Sequence, residues 1–197
     1  QGISKMRNIK VIKVLSYDPT LNGKYSRYKG YRLSALGMTD PPIDYGATTE
    51  RLESGIVICS TKKRSVDTAR LLSDDHRILK SELLNEVTFD LKSYGSEEQF
   101  NRLGSSIVRS GFFYAFETDN LIESRDALFT RINGLIELIK IVDDNVVVLV
   151  SHSFFMSILQ CYIETNGGIE RDPKLLRTYI QPDQKRYNFG EGFEFKI

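Results

Sequence analysis

The sequence predicts an α/β protein, a three-layer α/β/α sandwich around a mostly parallel central sheet. Two observations predict it. Two short apolar runs, Gly55-Ile56-Val57-Ile58 and Val146-Val147-Val148-Leu149-Val150, each pass through a polar turn into helical sequence. Between them, Glu123 to Val142 places apolar residues at Leu128, Ile132, Leu135, Ile136 and Ile139, the spacing of an amphipathic helix of about five turns. Strands that alternate with helices pair in parallel, because the return to the sheet's starting edge is made by the helix.

Taken in order, Ile9 to Leu15 alternates apolar and basic residues and reads as the first strand. Asp18 to Asp40 is rich in Gly, Tyr and polar residues and reads as a long loop, ended by Pro41-Pro42; loops of such length in compact domains are usually functional or disordered. A short helix is expected over Thr48 to Glu53. Gly55 to Ser60 is the second strand and Arg64 to Ser73 the helix after it. Arg77 to Leu79 suits a short third strand, and Glu97 to Leu103 a helix. The aromatic cluster Phe112 to Phe116 fits a lid, a partner surface or ordinary core. The Val146 strand, a helix from Phe154 to about Glu164 and a closing strand over Gly192 to Ile197 complete the chain.

At 197 residues the chain is expected to form one domain over residues 1–197, large enough for a substantial core. Gln1-Gly2 reads as the remnant of a cleaved tag. A formal charge of +1, with 41% hydrophobic and 27% charged residues, gives no bias toward nucleic acid or membrane surfaces. The longest apolar run, Val146 to Val150, is far too short to span a bilayer, and no charged-then-apolar leader opens the chain. Cys59 and Cys161 lack metal-ligand spacing and read as buried thiols of a reducing, cytoplasmic compartment. No metal or cofactor is called for.

Open α/β sheets bind ligands beyond the carboxyl ends of their strands. Cys59-Ser60-Thr61-Lys62-Lys63-Arg64 carries Arg64 to that edge, beside the N–H groups that open a helix, where charge and backbone donors together grip a phosphate. The second strand–turn–helix unit delivers His152, one of only two histidines, to the same kind of edge. His76, within Asp74-Asp75-His76-Arg77, reads as a surface residue.

In this arrangement the chain resembles the histidine phosphatase superfamily, in its phosphoglycerate-mutase-like branch. Five segments carry the resemblance in order: Arg27-Tyr28-Lys29-Gly30-Tyr31, Cys59 to Ala69, Leu84-Asn85-Glu86-Val87-Thr88-Phe89-Asp90, Glu123-Ser124 before a long helix, and Leu149-Val150-Ser151-His152-Ser153. The resemblance implies a phosphoglycerate-mutase-like fold, with Arg64 and His152 as phosphate holders and Glu86 as the acid that protonates the leaving oxygen. It also implies that the family's Arg-His-Gly triplet falls on Ser16-Tyr17-Asp18. Ser16 then replaces a phosphate-binding arginine, Tyr17 the nucleophilic histidine, and Asp18 brings a negative charge close to an anion site.

Within the family an imidazole attacks phosphorus, while cations and donors hold the equatorial oxygens. A phenol ionises near pH 10, so about one molecule in a thousand is a nucleophilic phenolate at neutral pH. The expectation is an impaired enzyme with a residual phosphate-leaning pocket that binds a phosphorylated small molecule or a protein partner. The alternative is an active phosphomonoester hydrolase with a rearranged mechanism that uses His152 or Tyr17. Bland readings stand beside these: His152 as a satisfied core histidine, Glu86 as an exposed carboxylate, and the Tyr17 ring as a plug for the vacated subsite.

Overall fold

Five consecutive apolar residues are enough for a strand buried on both faces, and that is where β4 (Val146–Ser151) lies, in the middle of the sheet. The computed structural model describes residues 5–46 and 49–197. Around β4 are β1 (Asn8–Lys13), β2 (Ile56–Cys59), β3 (Ile78–Lys80) and β5 (Gly192–Lys196), in the order β3-β2-β4-β1-β5. All neighbours are parallel except β1 and β5. The mostly parallel α/β architecture expected from the sequence is the one observed.

Six α-helices occur among the described residues: α1 (Arg27–Ala35), α2 (Lys63–Leu72), α3 (Glu97–Leu103), α4 (Ser106–Glu117), α5 (Arg125–Ile141) and α6 (Ser153–Glu164). The period-2 alternation of the strands sorts the core into two layers. Ile9, Val11, Ile58, Val147 and Leu149 meet buried residues of α4, α5 and α6 on one face. Ile12, Val57, Cys59, Val148 and Val150 meet Val66, Ala69 and Leu72 of α2 on the other. Both cysteines are buried free thiols, and His76 is exposed, as their sequence context suggested.

Two expectations are corrected. The stretch from Asp18 to Asp40 is not an unstructured loop but contains α1, which buries only Tyr28 and Gly30 and so leaves almost no apolar periodicity to detect. Ser26 caps it by accepting a hydrogen bond from the Lys29 N–H at 3.2 Å. Gly30 is required by close approach, since a Cβ there would lie 2.4 Å from the Pro19 carbonyl oxygen. Of the short helix expected over Thr48 to Glu53, Thr48 and the Gln1-Gly2 terminus lie outside the described residues, and residues 49–53 are not helical. The Leu52 N–H instead bonds to the Leu72 carbonyl at 2.8 Å.

The Phe112 to Phe116 cluster lies in α4 and is largely core. Phe112 and Phe116 are fully buried, and Phe112 stacks on Phe154 of α6 at 4.1 Å with the ring planes 7° apart. No helix among the described residues is long and apolar enough to cross a membrane.

Candidate functional site

The chain leaving β2 and the chain leaving β4 turn into α2 and α6 at the same edge of the sheet, and a cavity of about 160 Å³ opens beside them. Tyr17, Arg64, Glu86 and His152 all line it. Ser16 does not: its backbone carbonyl accepts from the Asp44 N–H at 2.6 Å as the chain pairs Tyr17 with Ile43. Asp18 also stays outside. Its carboxylate accepts from the Thr20 N–H and hydroxyl and from the Asn22 N–H in an exposed turn, so it does not oppose an anion in the cavity.

Arg64 is 4% exposed. Its guanidinium donates to Asp40 at 2.9 Å and lies 5.1 Å from the centre of the Tyr17 ring. Its Nε is buried without a hydrogen-bond partner. An orphaned charged donor at a cavity wall is costly unless a guest satisfies it.

The helix N–H groups expected to help grip a phosphate are already occupied. Asp40 accepts from the Lys63 N–H at 2.6 Å and from the Arg64 N–H at 3.5 Å at the start of α2. Glu86 does the same for α6, accepting from Phe154 at 3.2 Å and Phe155 at 2.8 Å, and also from the Val87 N–H at 2.9 Å. Both helix dipoles are thus met by carboxylates from elsewhere in the chain, and any bound anion falls to side chains.

Glu86 is held in place from behind. Arg131 donates to the carbonyls of Leu83 and Asn85, Ser151 donates to the Leu84 carbonyl, and Asn85 accepts from Thr61. Burial raises its carboxyl above the ordinary range, against the opposing pull of the three N–H groups and Arg64.

His152 is 2% exposed, and its Nε2 lies 2.7 Å from the Ser60 hydroxyl. Burial, and then the nearby Arg64, Lys62, Arg131 and Lys13 charges, hold its pKa well below 6.5, so it is neutral. Tyr17 lines the cavity rather than plugging it, with Phe189 edge-on at 6.1 Å. Burial raises its phenol, outweighing the help Arg64 gives to a phenolate.

Four basic residues that sequence reasoning missed complete the wall: Lys13, Arg109, Lys185 and Arg186. Lys13 ends β1 and is 9% exposed. Burial and the neighbouring Lys185 lower its pKa to about 8. In the sequence Lys13 falls inside the alternating run from Ile9 to Leu15, and nothing there marks it as the residue that closes the strand. Parallel pairing sets Lys13 against Ser151, and the Val14 N–H donates to the Ser151 carbonyl at 3.0 Å. Tyr17 lies four residues beyond the end of the strand.

Among curated proteins, no sequence matches the chain significantly. Solved structures share the fold. A candidate alpha-ribazole-5'-P phosphatase from Escherichia coli matches with TM-score 0.54 at 16% identity, covering 97% of this chain and 90% of the other. A histidine-to-alanine variant of phosphoserine phosphatase from Entamoeba histolytica, in complex with phosphoserine, matches with TM-score 0.52 at 14% identity, covering 96% and 89%. The sequence profile of the histidine phosphatase superfamily (branch 1) matches residues 20–175, a span that includes Arg64, Glu86 and His152 and begins just after Tyr17. With that span well over half its length, the chain belongs to the histidine phosphatase superfamily, branch 1.

Proposed function

We propose that this protein binds a small phosphorylated molecule in the cavity and does not turn it over through a phosphohistidine. The observation that carries the reading is the make-up of the wall: five basic side chains, one carboxylate and a single imidazole. That imidazole is His152, buried, neutral and hydrogen-bonded to Ser60. The residue that follows Lys13 off the end of β1 is Val14, which cannot attack phosphorus. In the alignment from Arg27 the nucleophile position is Tyr17, whose phenol burial keeps protonated. Neither register supplies a second imidazole. Loss of a nucleophile that works as part of a unit costs on the order of ten-thousand-fold or more in rate. The cavity volume lies below the ~300 Å³ at which pockets for drug-sized ligands begin, which favours a small molecule over a protein segment.

One observation favours a second reading, hydrolysis with His152 as general base for water. A neutral imidazole and a carboxyl raised toward protonation share one site, and those are the states a base and an acid need. Calorimetric titration with inorganic phosphate, run beside a hydrolysis assay on a panel of phosphomonoesters, separates the two. Phosphate binding without turnover is the expected result. Turnover abolished by both Arg64→Ala and His152→Gln would replace the proposal with the second reading. No phosphate binding at high concentration would remove the anion site altogether.

A further inference from the structure

The cavity wall holds two lysines, exposed Lys185 and buried Lys13. Strand alternation puts the Lys13 side chain on the same side of β1 as Ile9 and Val11, the side that packs toward α4, α5 and α6. The Lys13 N–H donates to the Glu191 carbonyl and its own carbonyl accepts from the Gly190 N–H, both at 2.9 Å. The base of the side chain is thus fixed against the segment that carries Phe189. Its Nζ lies 4.3 Å from the centre of the Phe189 ring, which Lys185 approaches to 5.2 Å. Among the described residues Lys13 has no carboxylate within ion-pair distance. Lys13 and Arg64 each lie within electrostatic reach of Glu86 and His152.

An amine desolvated beside another cation is the setting that turns a lysine into a nucleophile. Burial and the Lys185 charge bring Lys13 to about 8, so at pH 7 about one side chain in ten is free amine, against about one in three thousand for an ordinary lysine. We infer that Lys13 is a reversible covalent site, whose Nζ condenses with a small aldehyde held through an acidic group at the unpartnered Nε of Arg64. This rests on the phosphate-binding reading for the anionic end of the ligand and adds a reactive end to it. In the step, the Nζ lone pair bonds to the carbonyl carbon, the C=O π pair moves to oxygen, and one Nζ proton follows it to give a carbinolamine. The second Nζ proton leaves with the hydroxyl as water, and a C=N bond remains. Nothing is oxidised or reduced, and added water reverses the step.

The test incubates the full chain at pH 7 with glycolaldehyde phosphate and cyanoborohydride, which reduces an imine to a stable secondary amine, and maps the added mass by peptide mass spectrometry. Lys13 should be modified about tenfold or more faster than exposed Lys140, the excess of free amine being partly offset by the weaker nucleophilicity of a weaker base. Excess inorganic phosphate should slow the labelling, and glycolaldehyde, which lacks the acidic group, should label Lys13 more slowly. Lys13→Arg keeps the positive charge without a titrating amine; it should still bind inorganic phosphate in calorimetry and should lose the fast label, as should Lys13→Met. Labelling of Lys13 no faster than of Lys140, or a fast label that survives in Lys13→Arg, would overturn the inference while phosphate binding stands. Fast labelling of Lys13 by both aldehydes, untouched by phosphate and with no phosphate binding in calorimetry, would keep the reactive amine and overturn the binding reading instead.

Discussion

Replacing Lys13 with methionine should make the protein more stable and a worse anion binder at once. Methionine keeps the length and the apolar stem of lysine and removes only the charge. In the folded chain burial lowers Lys13 from 10.5 to about 8. At 1.36 kcal/mol per tenfold change in proton affinity, that is a penalty of about 3 kcal/mol on the folded state. The unfolded chain keeps the proton up to its ordinary value, so between about pH 8 and 10.5 it binds more protons than the folded chain, and stability rises with pH there. Below pH 8 the penalty is present in full. At pH 7, Lys13→Met should therefore raise the melting temperature, by as much as ~6–12 °C at the ~2–4 °C per kcal/mol expected for a chain of this size. Phosphate affinity should fall about tenfold or more, as a charge-assisted contact is lost. Calorimetric melts at pH 7 and pH 10, with phosphate titrations at pH 7, measure both. The stability gap should narrow at pH 10, where the folded wild type has already shed its proton. A variant that melts lower than wild type at pH 7 and binds phosphate equally well would refute the reasoning.

Arg64→Ala should remove detectable phosphate binding and cost about 1–3 kcal/mol in denaturant unfolding; this is less than for a fully buried pair because Asp40 is partly exposed. His152 predicts an acid limb. Its folded pKa lies below 6.5 while the unfolded chain protonates at 6.5, so stability should fall below pH 6.5 by up to about 1.4 kcal/mol per pH unit. His152→Gln should flatten that limb in paired melts, and an imidazole that NMR shows protonated at pH 6 in the folded protein would contradict it. Phe112→Ala should cost about 3–5 kcal/mol and loosen Phe154, which Phe112 stacks against at the cavity wall; a loss under 1 kcal/mol in urea unfolding would place that ring outside the core.

The parallel sheet was readable because Val146 to Val150 and Gly55 to Ile58 are apolar on both faces, and no other local structure buries such runs so simply. Likewise α5 was readable from one unbroken apolar stripe. In contrast, α1 escaped because it rests on the core through little more than Tyr28 and Gly30, leaving Ser26 as its one local signal. Arg64, Glu86 and His152 were legible as separate motifs, and the fold brings them to one cavity with Tyr17. The basic half of that cavity was not. Lys13 reads as one more basic residue in an alternating strand, and Lys185 and Arg186 sit in a segment with no periodicity. What gathers them is the antiparallel return of the chain into β5 beside β1, a long-range event that no local pattern records.

Asp40 and Glu86 already answer the Lys63, Arg64, Phe154 and Phe155 amides at the two helix starts, so those amides are ordered by the chain itself. On the proposed binding reading, recognition then falls to side chains on that scaffold. On that reading, selectivity for size and charge can drift one substitution at a time, while the sheet beneath keeps its shape.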